Sequence, residues 1–402
     1  MQDTVHKCVV GQETVRMLQL GHPWVIADSF TRRWPKARPG ELARLIDERG
    51  KFVATALLDP SDRVVARILS SKPVNLDRKL LESRICRALR IREAHAGLAD
   101  TNTYRLVNAE GDGIPGLTID RYGNYLMLQL YTEAWRPHLG ILTLTLQEIL
   151  GPEGIYEKKR PRNTREPEGA PEGRQYGRLL TGKAAPGRLE VEENGLLFLV
   201  SLEEGLNTGL FLDQRENRKD LMGRVGGKRF LNLFSYTGAF SVAAAAAGAS
   251  SVTSVDLSQG YTDWNRANFM LNGLDTGKHR FMIGECLDRL AVLASSGECF
   301  DVILMDPPSF STSGKGRFTT RGGTAGVAAA ALPLLEQGGV MICSSNHQKT
   351  DLPDYIKELR RGALDAGAEL RVIGQRGQPA DFPYPLTFPE GRYLKYLICV
   401  KD

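Results

Sequence analysis

Apolar and polar positions change rhythm twice along the chain. Over residues 1–74, short apolar runs such as WVIA (24–27) and FVATALL (52–58) are punctuated by Gly21, Pro23, Pro35, Pro39 and Gly40. Closely spaced strands between tight turns give that texture, so a small β-rich unit is predicted here. Residues 75–97 hold LDRKLLESRICRALRIREAHA, with apolar residues at helical spacing among many charges, which predicts an amphipathic connector helix. Residues 98–190 form a third segment. RLVNAEGDGIPGLTIDRYGNYLMLQLY reads as two strand patterns around Gly/Asp/Pro turns, and a helical stretch near 135–150 follows. In LEVEENGLLFLVSLE, Asn194-Gly195 between alternating runs predicts a hairpin, because both turn residues must take positive φ.

Beyond about residue 228 strands alternate with helices. FLNLF precedes an Ala-rich helix, VTSVD precedes WNRANFMLNGL, and DVILMD precedes a loop and another helix. GGVMICSS and YLKYLICVK supply later strands. This βαβ rhythm predicts a parallel, doubly wound α/β sheet within residues 191–402.

A hydrophobic content of 42% and a charged content of 25% are those of soluble globular chains. The N-terminus, MQDTVHKCVV, has no apolar core of signal-peptide length, and no run reaches the roughly 18 apolar residues of a membrane span. A cytoplasmic protein without membrane association is expected. The six cysteines show no paired spacing and the six histidines no HExxH pattern, so neither a disulfide framework nor a metal site is expected. The net charge of +5 is concentrated: residues 158–188 carry nine Lys/Arg against three Glu, a local +6. The remainder is then 5 − 6 = −1. Read as a basic loop, this segment presents Lys158, Lys159, Arg160 and Arg162 to phosphates.

Open α/β sheets bind ligands beyond the carboxyl ends of their strands. Three such ends carry chemistry. After FLNLF comes SYTGAFS, where Gly238 lets backbone approach a ligand and a helix N-terminus offers free N–H groups. After VTSV comes Asp256, 18 residues past Gly238 and suited to ribose hydroxyls. After DVILM comes Asp306, where Pro307 and Pro308 stiffen the exit and aim the carboxylate. A nicotinamide enzyme would need G-x-G-x-x-G to seat a pyrophosphate. A single glycine leaves room for an amino-acid tail, and the combination points to S-adenosylmethionine.

NTGLFLDQRENR (207–218), NLFSYTGAFS (232–241), VDLSQG (255–260), DPPSF (306–310) and FPEGRYLK (388–395) follow in order. Together they resemble the bacterial 23S rRNA methyltransferases of cytosine-C5 type that join an N-terminal PUA domain to a Rossmann-like, class I methyltransferase domain. GHPWV (21–25) resembles the start of their PUA β-barrel, and the middle of the chain their small EEHEE-type α/β domain. The resemblance implies that Phe234, Ser235, Tyr236, Thr237 and Gly238 line the methionine and ribose of the cofactor. Asp256, with Leu257 and Ser258, would hold the ribose diol. Glu285 and Cys286 would stand where the family reads the adenine amino group. Asp213, Gln214 and Arg215 would close over the cofactor tail. Asp306 and Pro307 would face the transferred methyl, and Phe310 would stack on the flipped base. Structured RNA, 23S rRNA in particular, is the implied partner, and a homodimer is compatible with the family.

One position departs from the pattern. Cytosine C5 is a poor nucleophile, so a cysteine thiolate must first add to C6. In the family that cysteine lies seven residues after a Gly-Gly pair; in GGVMICSSNHQ the count from Gly339 lands on Asn346. Cys343 lies three residues earlier and, in an extended strand, on the opposite face. Three readings follow: a cytosine-C5 enzyme by family resemblance, a methyltransferase acting on guanine N7 or an exocyclic amine with Asn346 at the base, and a non-catalytic RNA-binding or assembly protein.

Overall fold

The computed structural model describes residues 5–159, 175–308, 310–313 and 316–402; for 310–313 and 316–322 only the backbone is described. The chain divides into two compact units. The first comprises residues 1–160, 176–186 and 380–391, the second the rest.

The first unit carries two five-stranded sheets. One runs, in spatial order, Val5–Val9, Leu42–Ile46, Phe52–Leu58, Val64–Ser70 and Trp24–Ile26, around a core that includes Val25, Leu45, Ala54 and Leu58. The other runs Gly177–Gly182, Gly154–Lys158, Tyr125–Leu130, Leu117–Tyr122 and Thr103–Asn108. The expected connector is the helix Arg78–His95. Asp77 caps it, accepting the Leu80 N–H at 2.9 Å, and Leu81, Ile85 and Ala88 face the core. Residues 104–131 form three strands, not two. Gly123 at φ 58° turns the chain so tightly that Tyr122 pairs with Tyr125, within what reads as one alternating run.

The basic segment needs a larger correction. Lys158 ends a strand paired on both sides and is 4% exposed, so its ammonium is not displayed on a solvated loop. All five residues of this strand are buried, Glu157 and Lys158 included, which its charges conceal in the sequence. Lys159 is exposed, while Arg160 and Arg162 lie outside the described residues.

Residues 380–391 complete the first unit. The buried Arg92 guanidinium grips Asp112 with two bonds of 2.6 and 2.7 Å and donates to the Asp381 carbonyl at 2.8 Å. Asp381 also accepts the Arg105 N–H at 3.0 Å, Asn108 donates to the Pro383 carbonyl, and the Phe388 ring meets Trp24 at 4.6 Å.

The second unit opens with the predicted hairpin: Leu189–Glu193 and Leu196–Val200 pair across Asn194 (φ 51°) and Gly195 (φ 75°). Its main sheet has seven strands: β1 Arg229–Leu233, β2 Ser251–Asp256, β3 Arg280–Ile283, β4 Phe300–Met305, β5 Leu335–Ser345, β6 Leu370–Arg376 and β7 Lys395–Lys401. They lie in the order β3-β2-β1-β4-β5-β7-β6, parallel except for β7. The helices are α1 Arg215–Met222, α2 Ala239–Ala246, α3 Gln259–Leu271, α4 Cys286–Ser295, α5 Thr320–Ala331 and α6 Leu352–Asp365. Leu231, Leu233, Ile303, Met305, Met341 and Cys343 point into a core closed by α4, α5 and α6. The alternate residues, Phe230, Asn232, Leu304 and Ile342, are buried on the other face. The connection order reverses between β1 and β4, and in open α/β sheets the crevice beyond the carboxyl ends at such a switch point is where ligands bind.

Candidate active site

The loop leaving β1 is conformationally costly. Phe234 and Tyr236 take φ of 60° and 51°, a left-handed region that bulky side chains rarely enter. Surrounding bonds hold it: the Ser235 N–H donates to the Val255 carbonyl at 2.9 Å, the Tyr236 N–H to Asp256 Oδ2 at 2.8 Å, and Thr237 Oγ1 to the Gly209 carbonyl at 2.5 Å. Strain that a fold over-determines in this way clusters at ligand sites. Gly238, at φ 81°, is needed for a reason the sequence did not suggest. A Cβ there would lie 1.8 Å from Asn265 Oδ1, so close packing on α3 demands the glycine.

Asp256 ends β2. Its Oδ1 accepts the Ser258 N–H at 2.9 Å and its Oδ2 that of Tyr236, and the Leu257 N–H is a third donor to the carboxylate, whose roughly four acceptor sites leave capacity for one more. Burial raises the carboxyl above its ordinary range despite these bonds. Ser258 caps α3 through the Tyr261 N–H. Around this tip Leu257, Ile283 and Leu287 remain 47%, 36% and 46% exposed, an apolar rim on adjoining elements. Ile283 stands opposite Asp256 in the β2–β3 register. The Glu285 carboxylate caps α4 by accepting the Leu287 N–H at 2.9 Å, and Cys286 is buried with its thiol pushed well up by desolvation.

Asp306 leaves β4 half-buried, next to buried Pro307. The short turn Leu212–Gln214 and α1 support it. Gln214 Nε2 donates to Asp306 Oδ2 at 3.1 Å and to Ser344 Oγ at 2.8 Å, while its Oε1 accepts Asn217 Nδ2 at 2.6 Å. The amide is therefore committed at both ends. Desolvation pushes the Asp306 carboxyl up to about 6; the Ser344 hydroxyl and Gln214 amide oppose the rise and the nearby Asp213 charge adds to it. Asp213 accepts the Tyr393 hydroxyl at 2.6 Å. Arg215 is fully buried, with Nη2 3.6 Å from Glu216. Arg218 ties α1 to the hairpin through two 2.6 Å bonds to Glu193.

Asn346 is exposed just past β5. Ser344, two residues earlier and still within β5, meets Gln214. Cys343 points the other way, fully buried, its thiol raised by a hydrogen bond with Cys399 and by burial. Phe310 begins a short strand, Phe310–Ser313, paired with Gly316–Thr319; its side chain lies outside the described residues.

A strained loop after β1, a carboxylate on β2 with an apolar rim, and a carboxylate on β4 thus share one end of the sheet. Residues 175–387 match the family described as S-adenosylmethionine-dependent methyltransferase, and residues 9–71 match a PUA-like domain. The chain belongs to the S-adenosylmethionine-dependent methyltransferases. A relative named Ribosomal RNA large subunit methyltransferase I, from Escherichia coli O139:H28, is 34% identical over 395 residues, 98% of either chain. One of the same name from Shigella flexneri is 35% identical over 394 residues, again 98% of each. Among solved structures, a methyltransferase complexed with SAH is similar at TM-score 0.87 and 28% identity, over 98% of this chain and 99% of that one. A SAM-dependent methyltransferase from Streptococcus mutans gives 0.83 at 28% identity, over the same shares.

The methyltransferase uses S-adenosylmethionine, and no helix among its described residues is long and apolar enough to cross a membrane. Four residues of its polar network escaped the sequence reading: Asn217, Ser344, Tyr393 and Lys395. Strand periodicity could have found Ser344, two residues before Asn346. Tyr393 and Lys395 stand inside FPEGRYLK, whose spacing alone gives no sign of their distant partners.

Proposed function

We propose that this methyltransferase modifies a base of large-subunit ribosomal RNA, delivering the methyl directly to a nitrogen (guanine N7 or an exocyclic amine) without a covalent enzyme–base bond. The RNA class rests on the names of the relatives and on the PUA-like match. The nitrogen target rests on one observation: no thiol in the second unit serves the crevice. Cys343 and Cys399 share a hydrogen bond inside the core, Cys286 is buried on α4, and Cys299 precedes β4 at the far end of the strand. By the count from Gly339, Asn346 takes the position at which the family resemblance implies the cysteine.

The residues fit the cofactor. Asp256 retains acceptor capacity for ribose hydroxyls, the 234–238 loop and the Leu257–Ile283 rim would flank ribose and adenine, and Glu285 has a second oxygen free for the adenine amine. Asp213 and Arg215 would lie toward the cofactor tail, while Gln214 holds Asp306. When bound, the sulfonium would supply an electrophilic methyl: the N–C bond forms as the C–S bond breaks and S-adenosylhomocysteine leaves, after which an exocyclic amine sheds a proton and N7 keeps the positive charge. Ionised Asp306 would accept a hydrogen bond from an N–H of the flipped base, and the Asn346 carboxamide would offer a donor and an acceptor beside it. Lys159 and the basic stretch beyond it would contact phosphates.

Mass spectrometry of nucleosides from ribosomal RNA incubated with the enzyme and isotopically labelled S-adenosylmethionine tests this. A labelled methylguanosine, or another N-methylated nucleoside, is expected. Labelled 5-methylcytosine would refute the nitrogen target, and 5-fluorocytosine RNA trapped on Cys343 would restore the covalent route.

A further inference from the structure

β7 begins at Lys395, directly across from Ser345 of β5. Its side chain is 6% exposed, and Nζ donates to the carbonyls of His347 at 2.7 Å and Thr350 at 2.9 Å. No carboxylate forms an ion pair with it among the described residues. Burying the ammonium is costly: desolvation pulls the group down to about 8, with the nearby Asp351 charge opposing the shift and Arg392 adding to it. A methionine or leucine would fill the same volume at no such cost, so the cation must do something the volume does not.

What it does is visible in the turn it grips. The two carbonyls bracket residues 347–350, a turn also closed by His347 Nδ1 with Thr350 Oγ1 at 2.7 Å. Asn346 lies on one side of it. On the other is Asp351, whose carboxylate caps α6 through the Asp354 N–H at 2.8 Å. Side chains alternate along paired strands, so Lys395 and Ser345 share the face occupied by Cys343 and Leu397, while Ser344 and Tyr396 share the opposite one. Ser344 is the residue that meets Gln214 beside Asp306. Lys395 therefore reaches the turn from the side away from the crevice and acts on backbone.

We infer that Lys395 is the positioning residue for Asn346: by clamping the His347–Thr350 turn it fixes the direction in which the chain leaves β5, and with it the carboxamide. The inference rests on the reading of Asn346 as a group that faces the base. Full-length Lys395→Met and Lys395→Arg test it in three measurements. In Lys395→Met, kcat falls about 10- to 100-fold, while KM for ribosomal RNA and Kd for S-adenosylmethionine stay within about twofold. Hydrogen exchange of a peptide covering 346–351, measured without RNA, speeds up by about tenfold or more, whereas one covering 229–256 is unchanged. Lys395→Arg, which keeps the cation and its donors, recovers most of kcat. Unchanged kcat in Lys395→Met overturns the inference, as does a loss of cofactor affinity that parallels the loss of rate. The exchange measurement needs no substrate. Slow exchange at 346–351 in Lys395→Met therefore sinks the Lys395 assignment whatever nucleoside is methylated, and a wrong nucleoside with fast exchange sinks only the nitrogen target.

Discussion

Replacing Asp306 by Asn should make the protein more stable and nearly inactive, and the size of the first effect should depend on pH. The crevice holds this carboxyl at about 6 instead of 3.8, so ionising it in the folded state costs about 3 kcal/mol more than in the unfolded chain. A carboxyl with a raised folded pKa favours folding below its unfolded value and loses that advantage as pH rises through the folded one. The full cost is therefore carried at pH 8, and roughly half of it at pH 5. Asparagine carries no charge at either pH. Its Oδ1 can still accept from Gln214 or from Ser344 but not serve both as well, which costs about 1 kcal/mol. Asp306→Asn should then exceed the wild type by about 2 kcal/mol at pH 8 and come within about 1 kcal/mol of it at pH 5. Hydrogen exchange of β1 and β4 peptides in rising urea reports this unit separately from the first. Methyl transfer should fall at least about 100-fold at both pH values, with S-adenosylmethionine affinity retained. A variant less stable than wild type at pH 8, or a difference that does not shrink toward pH 5, would show that the crevice does not penalise the charge.

If ionised Asp306 is the working form, kcat/KM should rise with pH through about 6 and then level off, and the rise should vanish in Asp306→Asn. Asp256→Ala should weaken S-adenosylmethionine binding by about 2 kcal/mol in calorimetry, since it removes a charged acceptor, and should leave RNA binding intact. Cys343→Ala should keep full activity and cost about 1 kcal/mol of stability as a small buried side chain; loss of activity would point to thiolate chemistry. Gly238→Ala should destabilise the second unit by about 1–3 kcal/mol, because Asn265 must move, and Asn265→Gly in the same chain should recover part of it.

How much of this was legible in the sequence follows from how local each feature is. The strands of the doubly wound sheet announce themselves as apolar runs because both faces are buried, and Asn194-Gly195 specifies its hairpin because its turn chemistry is contained in two residues. Asp256 and Asp306 were legible because a carboxylate at the end of such a run has no packing role. Features that depend on distant partners were not. The need for Gly238 comes from Asn265, 27 positions on, and Gln214 is occupied by Asp306 and Ser344, which arrive on other strands. Lys158 reads as part of a basic loop until its strand partners are known. The acid of Glu285 looks available until the N-terminus of α4 is seen to claim one of its oxygens.

The excursion between β6 and β7 has a bearing on how the chain matures. Synthesis delivers residues 1–160 long before residues 380–391, yet Arg92, paired with Asp112 and shut away from water, obtains its last partner only from the Asp381 carbonyl. Until then, a nascent first unit lacks its clasp and leaves Trp24 without the ring of Phe388. The first unit should therefore reach full protection only after β6 has been made, which ties its completion on the ribosome to near-completion of the sheet that carries Asp306.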